Sequence, residues 1–292
     1  MAGMTATTAM TAMTAMTVPL VRARKGATPL VMVTAYDAPT ARIVDKGGAD
    51  LILVGDSVAM VVLGYDDTLQ LTVDDMAHHV AAVARARPRA LIVGDLPWMS
   101  YHVSAADSVR NAATLIRAGA QAVKLEGGRK RVATVEALVD AEIPVMGHIG
   151  LTPQSLHVMG GFKVQGKSAE AARALIDDAK ALAVAGCFAI VLEGVPDTVA
   201  ALVTEAVSVP TIGIGAGRGC DGQVLVLHDL LGLEDRVTPK FVRRYASLEA
   251  AGVEAVAAFA SDVRAGRFPN DDESYHLSDD VAEVLGLYAN VH

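Results

Sequence analysis

The sequence predicts an α/β fold, a single (β/α)8 TIM barrel, on three observations. Four short apolar runs each stop on a carboxylate: 51–56 ending at Asp56, 90–95 at Asp95, 122–126 at Glu126 and 189–193 at Glu193. A buried parallel strand reads as a short, nearly continuous apolar run. A unit of helix, glycine, strand and acid also recurs, with Gly48-Ala49-Asp50, Gly119-Ala120-Gln121 and Gly186-Cys187-Phe188 each leading into one of those runs. Further strand candidates at 30–35, 143–147, 209–214 and 224–228 bring the total to eight, alternating with helical segments.

The elements follow in order. Met1 to Thr17 is a Thr-Ala-Met low-complexity segment without the basic start and apolar core of a secretory signal. A disordered tail is expected over 1–24, one barrel domain with C-terminal helices over 25–268, and a second tail over 269–292. Pro39 suits the first turn of a helix ending near Gly47. Gly48, Gly119 and Gly186 suit left-handed caps, where a Cβ would be strained. Thr72-Val73-Asp74-Asp75 and Ser104-Ala105-Ala106-Asp107 resemble capping boxes with Asp in place of the usual Glu. After the first, Met76, Val80 and Val83 recur on one helical face; after the second, Val109, Ala113 and Ile116 do so. Only 215–223 separates the last two strands, too little for an ordinary crossover helix. Either that crossover is reduced or the eighth strand lies later, near 237–241. A helix over 247–265 carries Leu248, Val256, Phe259 and Val263, to cap the barrel or dock on another subunit. Pro269 to Ser274 reads as polar and loose.

Composition narrows the class. The 292 residues are 52% hydrophobic but only 4% aromatic, so the core rests on Ala, Val, Leu and Ile. A net charge of -8 argues against a nucleic-acid scaffold. Cys187 and Cys220 offer no disulfide framework or zinc spacing, and read as reduced thiols of a cytoplasmic protein. No apolar stretch is long enough to span a membrane.

Carboxylates at the C-terminal ends of barrel strands face the end where such folds place their chemistry. Two carboxylates about 4 Å apart repel by about 4 kcal/mol at an effective dielectric near 20. Asp56, Asp95 and Glu126 must therefore protonate, separate or bind a cation, and hard oxygen ligands select Mg²⁺ or a similar ion. Taken singly, each acid is equally suited to cap a helix or pair with a surface Arg. Lys124, two residues before Glu126, shares its strand face and reaches the same pocket, unless it snorkels to solvent. Glu193 ends a strand with no second acid beside it; partial burial suits it as a general base, and a helix-dipole role is the alternative. Ser57 is placed to donate to a ligand carboxylate. His148, read as ending the fifth strand, could hydrogen-bond an oxygen in the pocket or be structural. His78 and His79 read as solvent or rim residues of a helix. Gly213-Ile214-Gly215-Ala216-Gly217 is a turn whose amides could approach an anion, and its spacing is not a dinucleotide fingerprint. Arg129, Lys130 and Arg131 read as a solvated helix start or a greeting for a polyanionic cosubstrate tail.

Longer stretches then carry a resemblance. They are 33–37 (Val-Thr-Ala-Tyr-Asp), 54–57 (Val-Gly-Asp-Ser), 72–76 (Thr-Val-Asp-Asp-Met), 94–97 (Gly-Asp-Leu-Pro) and 123–128 (Val-Lys-Leu-Glu-Gly-Gly). Further along come 147–154 (Gly-His-Ile-Gly-Leu-Thr-Pro-Gln), 160–166 (Gly-Gly-Phe-Lys-Val-Gln-Gly), 213–217, 220–226 (Cys-Asp-Gly-Gln-Val-Leu-Val) and His228-Asp229. Over about Lys25 to Phe268 the chain resembles the ketopantoate hydroxymethyltransferase family.

The resemblance implies a barrel of the phosphoenolpyruvate/pyruvate superfamily with Mg²⁺ as cofactor. It implies transfer of a hydroxymethyl group from the cosubstrate 5,10-methylenetetrahydrofolate to 3-methyl-2-oxobutanoate, giving 2-dehydropantoate in the first committed step of pantothenate synthesis. Residue by residue, it gives Asp56, Asp95 and Glu126 as metal acids and Asp56, Ser57, Asp95 and Lys124 as keto-acid-binding positions. Glu193 becomes the proton acceptor, and the assembly a large homo-oligomer, commonly a decamer. Mg²⁺ chelating the oxo acid would stabilise the enolate formed when the C3 proton leaves. Gln70 stands where proline is expected, Phe162 replaces a frequent tyrosine, and the Thr-Ala-Met tail has no counterpart. Two rival readings are another Mg²⁺-dependent oxo-acid lyase or mutase of the same superfamily, and a non-catalytic anion-binding oligomeric barrel.

Overall fold

The computed structural model describes residues 15–233 and 239–285. Eight parallel strands close into a barrel in sequence order, β1 through β8. They are β1 (Leu30–Thr34), β2 (Leu51–Val54), β3 (Leu91–Asp95), β4 (Ala122–Glu126), β5 (Val145–Gly150), β6 (Ala189–Glu193), β7 (Thr211–Ile214) and β8 (Gly222–Leu225). β8 pairs with both β7 and β1, Ile212 lying opposite Gly222 on one side and Leu30 on the other. The crossover between β7 and β8 is thus the reduced one, without a helix. The alternative eighth strand near 237–241 falls partly outside the described residues, and its described part is not a strand.

Alternation within each strand makes two cores. Leu30, Met32, Leu51, Leu53, Leu91 and Val93 belong to the group that fills the barrel interior. Ile52, Val54, Ile92, Val123, Leu125 and Ile190 face the helices and form the larger outer core. The low aromatic content is answered by aliphatic packing in both.

The helices are α1 (Val18–Arg22), α2 (Ala38–Lys46), α3 (Val58–Val61), α4 (Val73–Ala84), α5 (Ala105–Ala118) and α6 (Val132–Asp140). They continue with α7 (Leu156–Met159), α8 (Ala169–Val184), α9 (Asp197–Ala206), α10 (Leu227–Leu231), α11 (Leu248–Arg264) and α12 (Asp279–Val284). Pro39 sits in the first turn of α2. The Thr72–Asp75 capping box of α4 is complete, and Met76, Val80 and Val83 are its buried face. Ser104 caps α5 through the Asp107 N–H, but Asp107 answers to the Ser104 hydroxyl and not to its backbone. The buried face of α5 is Ser108, Ala112 and Leu115, one residue off the expected stripe. Small side chains let that face approach, and the Ser108 hydroxyl is satisfied by the Ser104 carbonyl.

Four expectations about boundaries change. The stretch expected as a tail over 1–24 contains α1, whose Val21 is fully buried and joins Met16 and Val18 against the interior core. Three apolar residues seal the open lower end of the barrel, which explains why this stretch is ordered; residues 1–14 lie outside those described. β5 starts and ends later than expected, so His148 lies inside the strand and not at its end. β8 starts earlier, which moves His228 into α10. The 269–274 segment holds a 3-10 turn at Asp271–Glu273, closed by an Asn270–Glu273 capping box. Helix α11 forms as expected but buries no residue within this chain.

Candidate active site

Strand parity builds the site. On β4, Ala122 lies inside the barrel, and Lys124 and Glu126 follow on the same face. β3 repeats this with Leu91, Val93 and Asp95, β6 with Ala189, Val191 and Glu193, and β5 with Met146 and His148. The lower interior is apolar, and the layer at the C-terminal ends is ionisable. Register sets the neighbours, Asp95 opposite Lys124 and Glu126 opposite His148. Asp56 arrives from the turn after β2, where its N–H donates to Asp95 Oδ2 at 3.2 Å.

Contacts inside this layer are dense. Lys124 Nζ lies 2.9 Å from Asp95 Oδ2 and 3.7 Å from Glu126 Oε1. His148 Nδ1 lies 3.2 Å from Glu126 Oε1, and its Nε2 lies 3.2 Å from Glu193 Oε2. Neither approach has hydrogen-bond alignment, whereas Nδ1 is hydrogen-bonded to Lys124 Nζ at 3.3 Å. The Asp95, Lys124, Glu126 and His148 side chains are at most 4% exposed, whereas that of Glu193 is 17% exposed.

The electrostatics report crowding. Burial lifts the Asp56 carboxyl well above the usual carboxylate range, and the charges of Asp95 and Glu126 add to it. Burial also raises Asp95, against the pull of Lys124. Burial pushes Glu126 up too, but His148 and Lys124 outweigh it and leave it lowered. Burial depresses the Lys124 ammonium, and Asp95, Glu126 and Asp56 more than reverse that. Burial and Lys124 depress His148, yet Glu126 and Glu193 bring it up to about 9. With every group ionised, the carboxylates of Asp56, Asp95, Glu126 and Glu193 face only Lys124 and His148. The deficit is the charge of one divalent cation.

The donor set fits such an ion. Asp95 Oδ1 and Glu126 Oε1 are buried without a hydrogen bond, while the second oxygen of each carboxylate is held by the protein. All are hard oxygen donors. Among the described residues no group of three or more His, Cys, Asp or Glu side chains is already drawn together closely enough to hold a metal ion. Mg²⁺ does not need one, because it keeps several waters and takes one or two carboxylates directly.

Of the residues singled out from sequence, Asp56, Asp95, Lys124, Glu126, His148 and Glu193 come together here. The reading of Glu193 as an isolated acid is corrected, since it shares His148 with Glu126. Ser57 stands beside the cluster, its Oγ 2.9 Å from the Tyr36 hydroxyl. His79 is tied down, its Nδ1 2.8 Å from the Tyr36 carbonyl oxygen, whereas His78 is exposed. Arg129 pairs with Asp178 at 2.8 Å, and the Arg131 guanidinium lies over the Tyr101 ring. The 213–217 turn is close-packed: a Cβ on Gly215 would lie 2.7 Å from the Phe241 ring, and one on Gly217 2.4 Å from Asp197 Cβ. Both glycines also hold positive φ, so no other residue fits there.

Sequence reading gave no role to Tyr36, Tyr101 or Gln154. Gln154 donates from Nε2 to Asp56 Oδ2 at 2.9 Å and from its backbone to Glu126 Oε2 at 3.1 Å. Its one signal was its place in the 147–154 stretch.

A family profile described as ketopantoate hydroxymethyltransferase matches residues 15–271. The chain belongs to this family. A protein of Oleidesulfovibrio alaskensis named 3-methyl-2-oxobutanoate hydroxymethyltransferase is 57% identical, over 89% of this chain and 90% of its own. One of the same name from Ignicoccus hospitalis is also 57% identical, over 86% and 95%. Among solved structures, phosphonopyruvate hydrolase in complex with oxalate and Mg²⁺ aligns at TM-score 0.58 and 16% identity, over 93% of this chain and 95% of that one. 2,3-Dimethylmalate lyase, a member of the PEP mutase/isocitrate lyase superfamily, aligns at TM-score 0.58 and 18% identity, over 95% and 96%. Identities this low establish a shared barrel and nothing finer. Within the ketopantoate hydroxymethyltransferase family, the ionisable layer at the strand ends is the feature that calls for a chemical role.

Proposed function

We propose that the chain transfers a hydroxymethyl group from 5,10-methylenetetrahydrofolate to 3-methyl-2-oxobutanoate, giving 2-dehydropantoate in the first committed step of pantothenate synthesis. Family membership and relatives named for this activity support the oxo-acid substrate and the hydroxymethyl transfer, and the folate donor follows from the family resemblance. One observation carries the mechanism: Glu193, the most accessible acid of the cluster, lies 3.2 Å from His148 beside three buried acids.

In this reading Asp56, Asp95 and Glu126 hold Mg²⁺. When bound, Mg²⁺ supplies Lewis-acid polarisation of the oxo acid's carbonyl. The chain's own residues do the rest. Ser57 Oγ and the Asp56 and Asp95 positions orient the oxo acid, and the Lys124 ammonium offsets its negative charge. Glu193 takes the proton from C3. His148, whose Nε2 lies 3.2 Å from Glu193 Oε2, orients that carboxylate. C3 forms the new bond to the one-carbon unit, whose two C–N bonds to the folate break; water supplies the hydroxyl oxygen, and the proton lost from C3 and one proton of that water balance the two N–H bonds of the departing tetrahydrofolate.

Among the described residues no helix is long and apolar enough to cross a membrane. We place the enzyme in the cytoplasm as a homo-oligomer, a decamer by family resemblance. Val253, Val256 and Phe259 on α11 are each more than half exposed, which suits an assembly.

The rival oxo-acid lyase or mutase would be favoured by a reactive cysteine at the acid cluster, but Cys220, in the β7–β8 connection, packs by Thr204 and Thr211, and burial raises its thiol. Cys187 is buried between barrel and helices, and burial pushes its thiol up to about 12. The deciding assay supplies both substrates with Mg²⁺ and follows 2-dehydropantoate. Its folate-dependent formation is expected; cleavage of an oxo acid without folate would favour the lyase, and no turnover the non-catalytic barrel.

A further inference from the structure

Gln154 reaches two of the proposed metal acids at once, and the mechanism above assigns it nothing. It lies in a 3-10 turn after β5, at Pro153–Ser155, and is 5% exposed. Its side-chain amide donates to Asp56 Oδ2 at 2.9 Å and to the Leu96 carbonyl oxygen at 3.0 Å. Its backbone N–H donates to Glu126 Oε2 at 3.1 Å. Asp56 follows β2 and Glu126 ends β4, so one residue joins acids from two different strands.

The amide has a fixed sense. The Tyr101 hydroxyl donates to Gln154 Oε1 at 2.6 Å and accepts the Glu126 N–H at 3.2 Å. A hydroxyl has one proton, and the shorter contact takes it. With Oε1 engaged by a donor, Nε2 must face Asp56 and Leu96. Flipping the amide would set two carbonyl oxygens and a carboxylate oxygen against each other. Tyr101 is buried with its ring under the Arg131 guanidinium, so the brace is itself held.

The consequence concerns which oxygens remain. Gln154 occupies Oδ2 of Asp56 and Oε2 of Glu126 with neutral N–H donors. A lysine or arginine in its place would neutralise the carboxylates and compete with a cation. A neutral amide holds each carboxylate while leaving its charge intact, and Glu126 Oε1 is left buried without a hydrogen bond. Groups that orient metal-binding carboxylates in this way commonly change ion affinity about 10–100-fold when removed.

We infer that Gln154, braced by Tyr101, is a positioning residue that presets Asp56 and Glu126 for a divalent cation. The inference rests on the reading of those acids as ion ligands.

The test measures Mn²⁺ binding by electron paramagnetic resonance, with neither substrate present, on the full chain and on Gln154→Leu, Tyr101→Phe and the double variant. Circular dichroism in chelator checks folding. Gln154→Leu should raise the Mn²⁺ dissociation constant by about tenfold or more. Tyr101→Phe, which keeps the ring packing, should raise it roughly threefold, and adding it to Gln154→Leu should cost less than it does in the parent, because its hold on the amide is already gone. A folded Gln154→Leu that binds Mn²⁺ as the parent does overturns the inference. So do single effects that simply multiply in the double variant. Should Gln154→Leu fail to fold, parental affinity in Tyr101→Phe overturns it equally. A parent chain that binds no Mn²⁺ sinks the ion-site reading itself, and the positioning role with it.

Discussion

Glu193 on β6 and Glu126 on β4 share one imidazole, each carboxylate lying 3.2 Å from a different nitrogen of His148. One acid is buried and the other partly open to the pocket. The histidine thus couples a proposed ion ligand to a proposed proton acceptor. Glu193→Gln keeps the shape and removes the accepting oxygen's charge. It should lower kcat by about 10²–10⁴-fold while Mg²⁺ binding is retained. Steady-state kinetics with calorimetric Mg²⁺ titration checks both; an unchanged kcat would remove Glu193 from the base role.

Lys124 is the nearest cation to Asp95 and almost fully buried. Replacing it with Met leaves carboxylates at Asp95 and Glu126 without that partner. Loss of one partner of a buried pair costs about 3–5 kcal/mol. Lys124→Met should therefore unfold at markedly lower urea in chelator, and Mg²⁺ should restore part of the loss. Equal stability in the two conditions would contradict the proposed sharing of these acids between an ammonium and an ion.

Asp221 closes the opposite end of the barrel. It accepts from the Gly26 and Thr211 N–H groups at 2.8 and 2.9 Å and pairs with Lys25 at 2.9 Å. Burial pushes its carboxyl up, but the Thr211 and Gly26 N–H donors and Lys25 outweigh this and leave it below the usual carboxylate value. A depressed folded value means stability that is complete above the unfolded pKa and lost as pH falls through the folded one. Asp221→Asn should cost about 2 kcal/mol at neutral pH, and the gap from the parent should close in acid. Urea melts across the acid range read this; a gap independent of pH would refute the ionic account.

Val21 of α1 is fully buried against the interior core. Val21→Ala should cost about 2 kcal/mol without altering Mg²⁺ affinity, since the acids lie at the other end. A neutral effect in a urea melt would mean α1 does not seal the barrel.

Most of the barrel was legible because its strands carry their pattern locally. Apolar runs ending on acids, and glycines before them, gave each of β2, β3, β4 and β6 and the shared end on which Asp95, Glu126 and Glu193 meet. Parity alone put Lys124 beside Glu126. Other features depend on contacts across the chain. α1 has a local start in the Thr17 cap and Pro19, but nothing in Met16 to Arg22 announces that Met16, Val18 and Val21 pack on the interior core. Gln154 and Tyr101 matter through hydrogen bonds to residues far away in sequence, which spacing cannot encode. His148 reads as a strand end because the apolar run breaks there, whereas pairing with β6 carries β5 on to Gly150, opposite Glu193.

The central claim is that an ion held by Asp56, Asp95 and Glu126 makes the C3 hydrogen of the oxo acid removable by Glu193. Exchange of that hydrogen in deuterated buffer, followed by proton NMR with 3-methyl-2-oxobutanoate and no folate, tests it most directly. The parent should exchange with Mg²⁺ and not in chelator, and Glu193→Gln should exchange at no more than a hundredth of the parent rate, a loss in line with roughly 10²-fold or more for a general base. Exchange that is absent from the parent with Mg²⁺, or that persists in Glu193→Gln, would contradict the account.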